Sequence, residues 1–157
     1  MHARKLVVEI TAGVALAALL AVGYGYYMQR THGIPGFTDG SQRTVTAGGV
    51  PVQAEVVSTD ASRQKGLSGR SELAPGTAML FVFDTDGMWG FWMKDMSFAI
   101  DIVWVAPDGT VVGVAPSAAP DTYPHIFYPA ALARFVLELP AGFSAAHELA
   151  VGGKIVI

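Results

Sequence analysis

The sequence contains no cysteine, and this absence excludes both a disulfide framework and any metal site that depends on thiolates. Only four histidines occur, at positions 2, 32, 125 and 147, and none has the spacing of a zinc-binding motif. The glycine-rich loops of nucleotide-binding proteins and the Gly-x-Ser-x-Gly motif of hydrolases are also absent. We therefore predict no metal, no cofactor and no identifiable catalytic residue.

Charged residues are scarce as well, at 15% of the chain, while hydrophobic residues make up 52%, enough for a packed core. From residue 50 to the end there are six Lys or Arg and eleven Asp or Glu, a net charge of about -5. An acidic surface of this kind repels the phosphate backbone of DNA and RNA. The composition therefore argues against nucleic acid as a partner.

A stretch of nineteen residues near the N-terminus, 10–28, carries no charge. An α-helix of that length rises roughly 29 Å, which is about the thickness of the hydrocarbon core of a membrane. Three tyrosines gather at the end of the stretch, as residues at a membrane interface do; they are Tyr24, Tyr26 and Tyr27. We predict that residues 1–28 form one transmembrane helix that stays in place as a signal anchor.

The orientation of this helix follows from Arg4 and Lys5, which precede the apolar stretch. Because positive residues favour the cytoplasmic side, the rest of the chain is expected on the extracytoplasmic side of a bacterial inner membrane. The alternative is a signal peptide that is cleaved near Ala21-Val22-Gly23, and cleavage there would release a secreted protein.

The remainder of the chain divides into a predicted flexible linker and one globular domain. Residues 29–49 are rich in glycine and polar residues and show no periodicity, which is typical of a linker. Residues 50–157 contain short apolar or alternating runs separated by turn residues, and such runs indicate strands. The predicted strands cover residues 50–58, 77–83, 90–95, 98–106, 110–115, 133–140 and 153–157.

Two short helices and one tight turn complete the prediction. Thr59 or Asp60 can cap a helix that ends at Gly66, and "AGFSAAHEL" can form one or two helical turns. Asp108-Gly109 stands between two apolar runs and predicts a β-hairpin. Because strands and helices do not alternate, we predict an α+β domain with mostly antiparallel strands, either a small barrel-like fold or a sandwich.

The run "FWMKDMSFAIDIVWV", residues 91–105, sets Lys94, Asp95 and Asp101 in apolar surroundings. Buried charges are costly unless they are paired or used. On a strand, Asp101 would share a face with Ala99, Val103 and Val105, so its own surroundings are apolar. The simplest interpretation is a structural ion pair between Asp101 and Lys94, with Arg63 or Arg70 as alternative partners.

The functional interpretation of the same residues is a small polar site in an aromatic-rich pocket. Its walls would be Trp89, Trp92 and Trp104. The candidate ligand-binding residues are Trp92, Lys94, Asp95, Asp101, Arg63 and Arg70. Tryptophans in strands usually belong to a core, and the sequence leaves both interpretations open.

Four blocks in a fixed order resemble the family called domain of unknown function 192: "RQKGLSGRSEL", "AMLFVF", "FWMKDMSFAIDIVWVAPDGTVV" and "FVLELPAGF". Residues that match the family pattern are Arg63, Gly66, Leu67, Arg70, Met79, Phe81, Phe91, Trp92, Met93, Lys94, Asp101 and Glu138. Ser68, Asp95-Met96, Ala99 and Gly153 depart from it. The resemblance implies a small β-rich domain, often exported or anchored, and implies no reaction.

These observations favour a membrane-anchored binding or envelope-associated module without catalysis. Its partner could be a small molecule, an envelope polymer or another protein. The alternative is an envelope hydrolase that uses Asp95 and Asp101 as a carboxylate pair, which requires both groups in one open cleft, about 5–10 Å apart.

Overall fold

The computed structural model describes residues 35–157. The predicted transmembrane helix at 1–28 and the first part of the predicted linker lie outside the described residues. Within residues 35–157, neither α-helix has the length and apolar character needed to cross a membrane.

Seven strands form one sheet in the order β5-β4-β6-β3-β2-β1-β7. The strands are β1 (Gln42–Ala47), β2 (Val50–Val57), β3 (Thr77–Gly87), β4 (Ile100–Val105), β5 (Val111–Ala118), β6 (Ala133–Pro140) and β7 (Ile155–Val156). The α-helices are α1 (Asp60–Lys65) and α2 (Phe143–Ala146), and a 3-10 turn spans Pro120–Thr122. All neighbouring strands are antiparallel except β2 and β3.

The two ends of the sheet meet, so the sheet curls into a barrel-like shape. At one end of the contact, the Ile155 N–H donates to the Gly109 carbonyl at 2.9 Å. The Val111 N–H donates to the Gly153 carbonyl, also at 2.9 Å. These bonds join β7 to the start of β5 and leave little free sheet edge there. The predicted α+β, mostly antiparallel fold with two short helices is confirmed.

The predicted hairpin is also confirmed. β4 and β5 pair antiparallel, with Val103 opposite Val114. Gly109 takes a φ of 84°, a conformation that costs glycine nothing and disfavours other residues. The Ala106 N–H donates to the Thr110 carbonyl at 2.8 Å, which closes the turn.

The predicted linker is wrong over its last part, because residues 42–47 form β1. This strand pairs with β2 along its whole length, and Val45 and Ala47 are fully buried. The domain therefore begins before residue 50. The strand was missed because "QRTVTA" offers only two inward apolar side chains, too weak a pattern to separate it from a polar tether.

The predicted strand at 90–95 is wrong as well. Phe91 makes a single antiparallel bridge with Phe127, and the chain then turns. Asp95 has a φ of 57°, which no regular strand contains. This segment is apolar because it covers the sheet, and an apolar cover cannot be told from a strand over so few residues.

Two further features differ from the expectation. The strand predicted at 77–83 is longer than expected, because β3 continues through "DTDG" at 84–87 with a shift in register. β2 and β3 are parallel neighbours connected through α1, so the fold contains one local β-α-β unit. The other neighbouring strands are antiparallel, so the sheet still agrees with the predicted α+β class.

The buried side chains form two cores on opposite faces of the sheet. The first core draws on all seven strands. The second core lies on the other face of β3, β4 and β6, where Leu67, Met93 and neighbouring aromatic residues cover it. Strand alternation assigns Val103 and Val105 to the first core and Ile102 and Trp104 to the second.

Candidate functional site

A cavity of about 250 Å³ opens beside the second core. We call it the aromatic cavity. It lies between α1 with the loop after it, β3, the covering segment 89–96 and β6. Five aromatic residues line it: Phe81, Phe83, Trp89, Phe91 and Trp92.

The aromatic walls hold one another in place. The rings of Phe83 and Trp89 stack with centroids 4.0 Å apart and planes 8° apart. Trp89 Nε1 donates to the Ala133 carbonyl at 2.9 Å, which fixes the indole in the wall. Gly87 allows this packing, because a Cβ at that position would stand 2.8 Å from the indole ring. Aromatic pairs with these contacts are stabilising and rigid, so the cavity is preformed.

Trp92 differs from the other four aromatic residues because it is 52% exposed. Its ring meets Tyr123 edge to face, with centroids 6.4 Å apart. Tyr123 is itself exposed. The two rings form an open aromatic edge next to the cavity.

Glu138 is the acidic residue that lines the cavity. It lies on β6, opposite Met79 of β3 on one side and Ile102 of β4 on the other. The residue is only 6% exposed, and its Oε2 atom is buried with no hydrogen-bond partner among the described residues. Its flanking side chains are apolar and offer no donor. A buried polar atom left in this state costs free energy.

Burial raises the pKa of Glu138 from its ordinary value of 4.5 to about 8, and the positive charge of Arg70 opposes the shift. A carboxyl group inside an apolar wall is more stable when neutral. At pH 7 the side chain is therefore mostly protonated, and it ionises if a positive charge arrives beside it.

Arg63 also lines the cavity, but its guanidinium group is committed to the protein framework. One Nη1 atom donates to the carbonyls of Ser58 and Val82, at 2.8 and 2.7 Å. Nη2 donates to Asp60 at 2.6 Å. The guanidinium also stands 5.0 Å from the centre of the Phe83 ring. Arg63 thus ties α1 to β3 and supports the wall.

The structure brings together some of the predicted site residues and separates others. Trp92 and Arg63 line the aromatic cavity, whereas Lys94, Asp95 and Arg70 are exposed and do not. Arg70 pairs with Glu55 at 2.8 Å. Of the three tryptophans expected as walls, Trp89 and Trp92 take that place, and Trp104 is buried in the second core.

Asp101 is fully buried, yet it is not ion-paired. Its Oδ1 accepts from the Ser117 and Gly142 N–H groups at 2.7 and 3.0 Å, and its Oδ2 accepts from the Ser144 N–H at 2.7 Å. Among the residues that the structure describes, no salt bridge involves Asp101 or Lys94. The predicted ion pair is therefore wrong. Asp101 points to the first core, whereas the segment that carries Lys94 covers the opposite face.

The alternative carboxylate pair does not form an open cleft. Asp101 has no exposed surface, and Asp95 lies in an exposed turn. Neither residue lines the aromatic cavity. In the described part of the chain, no three acidic or histidine side chains stand close enough together to hold a metal ion.

Sequence reasoning missed Glu138 as a site residue, together with Phe81, Phe83 and Phe91. The signal was present in "FVLELP", where a carboxylate interrupts an apolar run just as Asp101 does. The period of two places Glu138 on the face of Val136, which is the face of the second core.

Comparison with known proteins gives a family and a fold. The model of the family DUF192, described as an uncharacterized ACR, matches residues 43–157. No curated protein matches the chain.

Two crystal structures are similar to this chain. One is a candidate transcription regulator from Sinorhizobium meliloti, with 27% identity and a TM-score of 0.69 over 77% of this chain and 97% of that one. The other is a protein of unknown function from Novosphingobium aromaticivorans, with 28% identity and a TM-score of 0.69 over 74% of this chain and 85% of that one.

Proposed function

The chain belongs to the DUF192 family, and we propose that its domain binds a small molecule in the aromatic cavity without catalysing a reaction. The observation that carries this proposal is the buried carboxyl group of Glu138, whose Oε2 atom has no partner among the described residues, in the wall of the aromatic cavity. Protein interiors are close-packed, and their buried polar atoms are nearly always satisfied. A cavity that departs from both rules gains stability when a ligand fills it.

The dimensions suit a small ligand or one end of a larger one. At about 30 Å³ for each water-sized group, a cavity of about 250 Å³ has room for roughly eight non-hydrogen atoms. Aromatic walls combined with a few polar groups, here Arg63, Gln64, Lys65, Ser68 and Glu138, are typical of small-molecule sites. An envelope polymer or a protein could insert a terminal group in the same way, but a free small molecule accounts for the enclosure most simply.

Binding is favoured over the carboxylate-pair hydrolysis considered above because that mechanism needs two carboxyl groups with different pKa values in one site. Glu138 has no second carboxyl beside it among the lining residues. The pair of Asp95 and Asp101 offers no substitute, since Asp101 is used by three backbone donors.

Regulation of transcription by direct DNA binding is not proposed, although the Sinorhizobium meliloti protein is described as a candidate transcription regulator. From residue 50 onward this chain has eleven acidic and six basic residues. A surface with that balance lacks the positive stripe that holds phosphates.

A fragment-binding experiment tests the proposal. The full-length chain is titrated with a small library of aromatic and aliphatic fragments while the indole N–H signals of its three tryptophans are followed by NMR. We expect hits to shift Trp89 and Trp92 most and Trp104 less, because Trp104 does not line the cavity and is linked to it through the hydrogen bond from its indole N–H to the Trp89 carbonyl. Fragments that shift none of them, or all three alike, would speak against a binding cavity at this place.

We also propose that residues 1–28 anchor the domain on the extracytoplasmic side of the inner membrane, with the secreted form as the alternative. The uncharged stretch and the positive residues before it support this orientation. A C-terminal alkaline phosphatase fusion should be active and should sediment with membranes. Activity in the soluble periplasmic fraction would indicate cleavage, and a silent fusion would contradict export altogether.

A further inference from the structure

We propose that the ligand of the aromatic cavity is an organic cation, a compact molecule with a protonated amine on an apolar or aromatic body. The amine donates to Glu138, and the body lies between the aromatic rings. This inference rests on the proposed binding function and specifies its ligand class.

The first step concerns the unsatisfied atom. Glu138 Oε2 is an acceptor without a donor, and the side chains beside it on β3 and β4, Met79 and Ile102, are apolar. A ligand in the cavity that supplies an N–H donor to the carboxyl group of Glu138 offsets the cost of its burial. A charged donor does so most strongly, because charge-assisted hydrogen bonds are about twice as strong as neutral ones.

The second step concerns the walls. Phe81, Phe83, Phe91, Trp89 and Trp92 surround the same space, and the faces of aromatic rings carry negative potential. A cation enclosed by such rings is attracted by them, and the attraction grows where water is excluded. An anion would meet the negative faces of the same rings, which repel it.

The third step concerns the other charges that face Glu138. Arg63 and Lys65 line the cavity from α1. Arg63 is held by Asp60 and two carbonyls, so its charge is already balanced, and Lys65 is exposed at the rim, where water and salt screen it. Arg70 does not line the cavity, but its positive charge acts on Glu138, and its guanidinium group pairs with Glu55 at 2.8 Å. Glu138 is left as the acidic group available to a ligand.

Binding would move one proton. The protonated Glu138 and an ammonium ligand form a carboxylate–ammonium pair, and the proton of the carboxyl group leaves to solvent. Because burial raises the pKa of Glu138 to about 8, this release occurs at pH 7 and not at pH 9. The apparent affinity should therefore rise about tenfold between these two pH values, following the ionised fraction of Glu138.

The test compares 2-phenylethylamine with 2-phenylethanol, which have the same number of non-hydrogen atoms and differ in charge. Calorimetry on the full-length chain should give the amine at least tenfold higher affinity at pH 9, with release of close to one proton at pH 7 and almost none at pH 9. Repeating the titration in buffers of different ionisation enthalpy counts the protons.

Glu138→Gln keeps the shape of the side chain and removes its charge. We expect it to lower the affinity for the amine roughly 10- to 100-fold and to abolish the proton release, while 2-phenylethanol binds as before. Glu148→Gln makes the same chemical change at an exposed position outside the cavity and should alter neither value.

Equal affinity for amine and alcohol, or an amine preference that remains in Glu138→Gln, would overturn the inference. The cavity would then bind small molecules without using the charge of Glu138. Failure of both probes to bind would also overturn it. The fragment experiment then decides independently whether the cavity binds small molecules at all.

Discussion

Asp101 and Glu138 are two buried carboxyl groups on neighbouring strands, and they lie only one register step apart. Asp101 stands opposite Leu139, and Ile102 stands opposite Glu138. Their exposures are 0% and 6%. Because adjacent strand positions point to opposite faces, Asp101 faces the first core and Glu138 faces the second.

The two groups differ in the number of donors that the fold supplies. Three backbone N–H groups converge on Asp101, from the end of β5 and from the start of α2. Gly142, the N-cap residue of α2, has no capping side chain, and Asp101 performs that role from β4. Glu138 has no donor for Oε2. Both carboxyl groups are thus buried, but only Asp101 receives hydrogen bonds from the fold. We therefore interpret Asp101 as structural and Glu138 as available to a ligand.

The largest effect is expected from Asp101→Ala. The substitution leaves three backbone N–H groups without their acceptor in a buried site, so it should lower the free energy of unfolding by roughly 3–5 kcal/mol. Urea unfolding of the full-length chain, followed by tryptophan fluorescence, measures the change. Asp84→Ala, at an exposed position, is the control and should stay within about 0.5 kcal/mol. A small effect at Asp101 would mean that its hydrogen bonds add little.

The next largest effect is a dependence on pH that belongs to Glu138. Its pKa is 4.5 ordinarily and about 8 in the folded protein, so between these values the unfolded chain is ionised while the folded chain keeps its proton. Stability therefore falls as pH rises through this window, by up to about 1.4 kcal/mol per pH unit. Below pH 4.5 the penalty is absent, and above pH 8 it is constant.

The measurement compares Glu138→Gln with the parent chain, because all other titrating groups are common to both. From pH 5 to pH 8 the parent should lose about 3 kcal/mol relative to the variant. Parallel curves for the two proteins would show that Glu138 keeps an ordinary pKa and that its burial is less complete than the structure describes.

A smaller effect, of opposite sign to that of Asp101→Ala, is expected from Glu138→Met. Replacing an unsatisfied buried carboxyl with an apolar side chain of similar length removes the pH-dependent cost described above, so the free energy of unfolding at pH 7 should rise by about 1–3 kcal/mol. The same variant should lose ligand binding. If Glu138→Met destabilises the domain as much as Asp101→Ala does, the proposed difference between the two faces of the sheet disappears.

The sequence was sufficient for the elements whose pattern is local and strong. The β4–β5 hairpin follows from Asp108-Gly109 between apolar runs, and β6 was predicted at its observed bounds, 133–140. β1 was not predicted, because its stability comes from pairing with β2 and β7, and its own apolar content is slight. Pairing with other strands stabilises such a segment without requiring a recognisable strand pattern in its own sequence.

The prediction of the candidate site was limited in the same way, because it also depended on contacts between segments that are distant in sequence. Alternation along each strand correctly placed Asp101 with Val103 and Val105, but it could not reveal which segment covers which face. Lys94 appeared to be a partner because a strand was expected at 90–95. In the structure, that segment covers the second core. Lys94 therefore lies on the opposite face of the sheet from Asp101 and cannot pair with it. The sequence was enough to predict that Asp101 is buried, but it did not show which groups would donate hydrogen bonds to it.

The smallest effect is therefore expected from Lys94→Met. Lys94 is exposed and forms no salt bridge within the described residues, so the substitution should change the free energy of unfolding by less than about 0.5 kcal/mol.

A double-mutant cycle with Asp101→Asn makes this prediction decisive. Oδ1 of an asparagine at 101 can still accept from Ser117 and Gly142, so enough stability should remain for all four proteins to be measured. Two residues on opposite faces of a sheet should give additive changes, with a coupling energy below about 0.5 kcal/mol. A paired Lys94 and Asp101 would instead couple by more than about 1 kcal/mol. Such a value would restore the ion pair, and it would require the covering segment to reach the face where Asp101 now meets its three backbone donors.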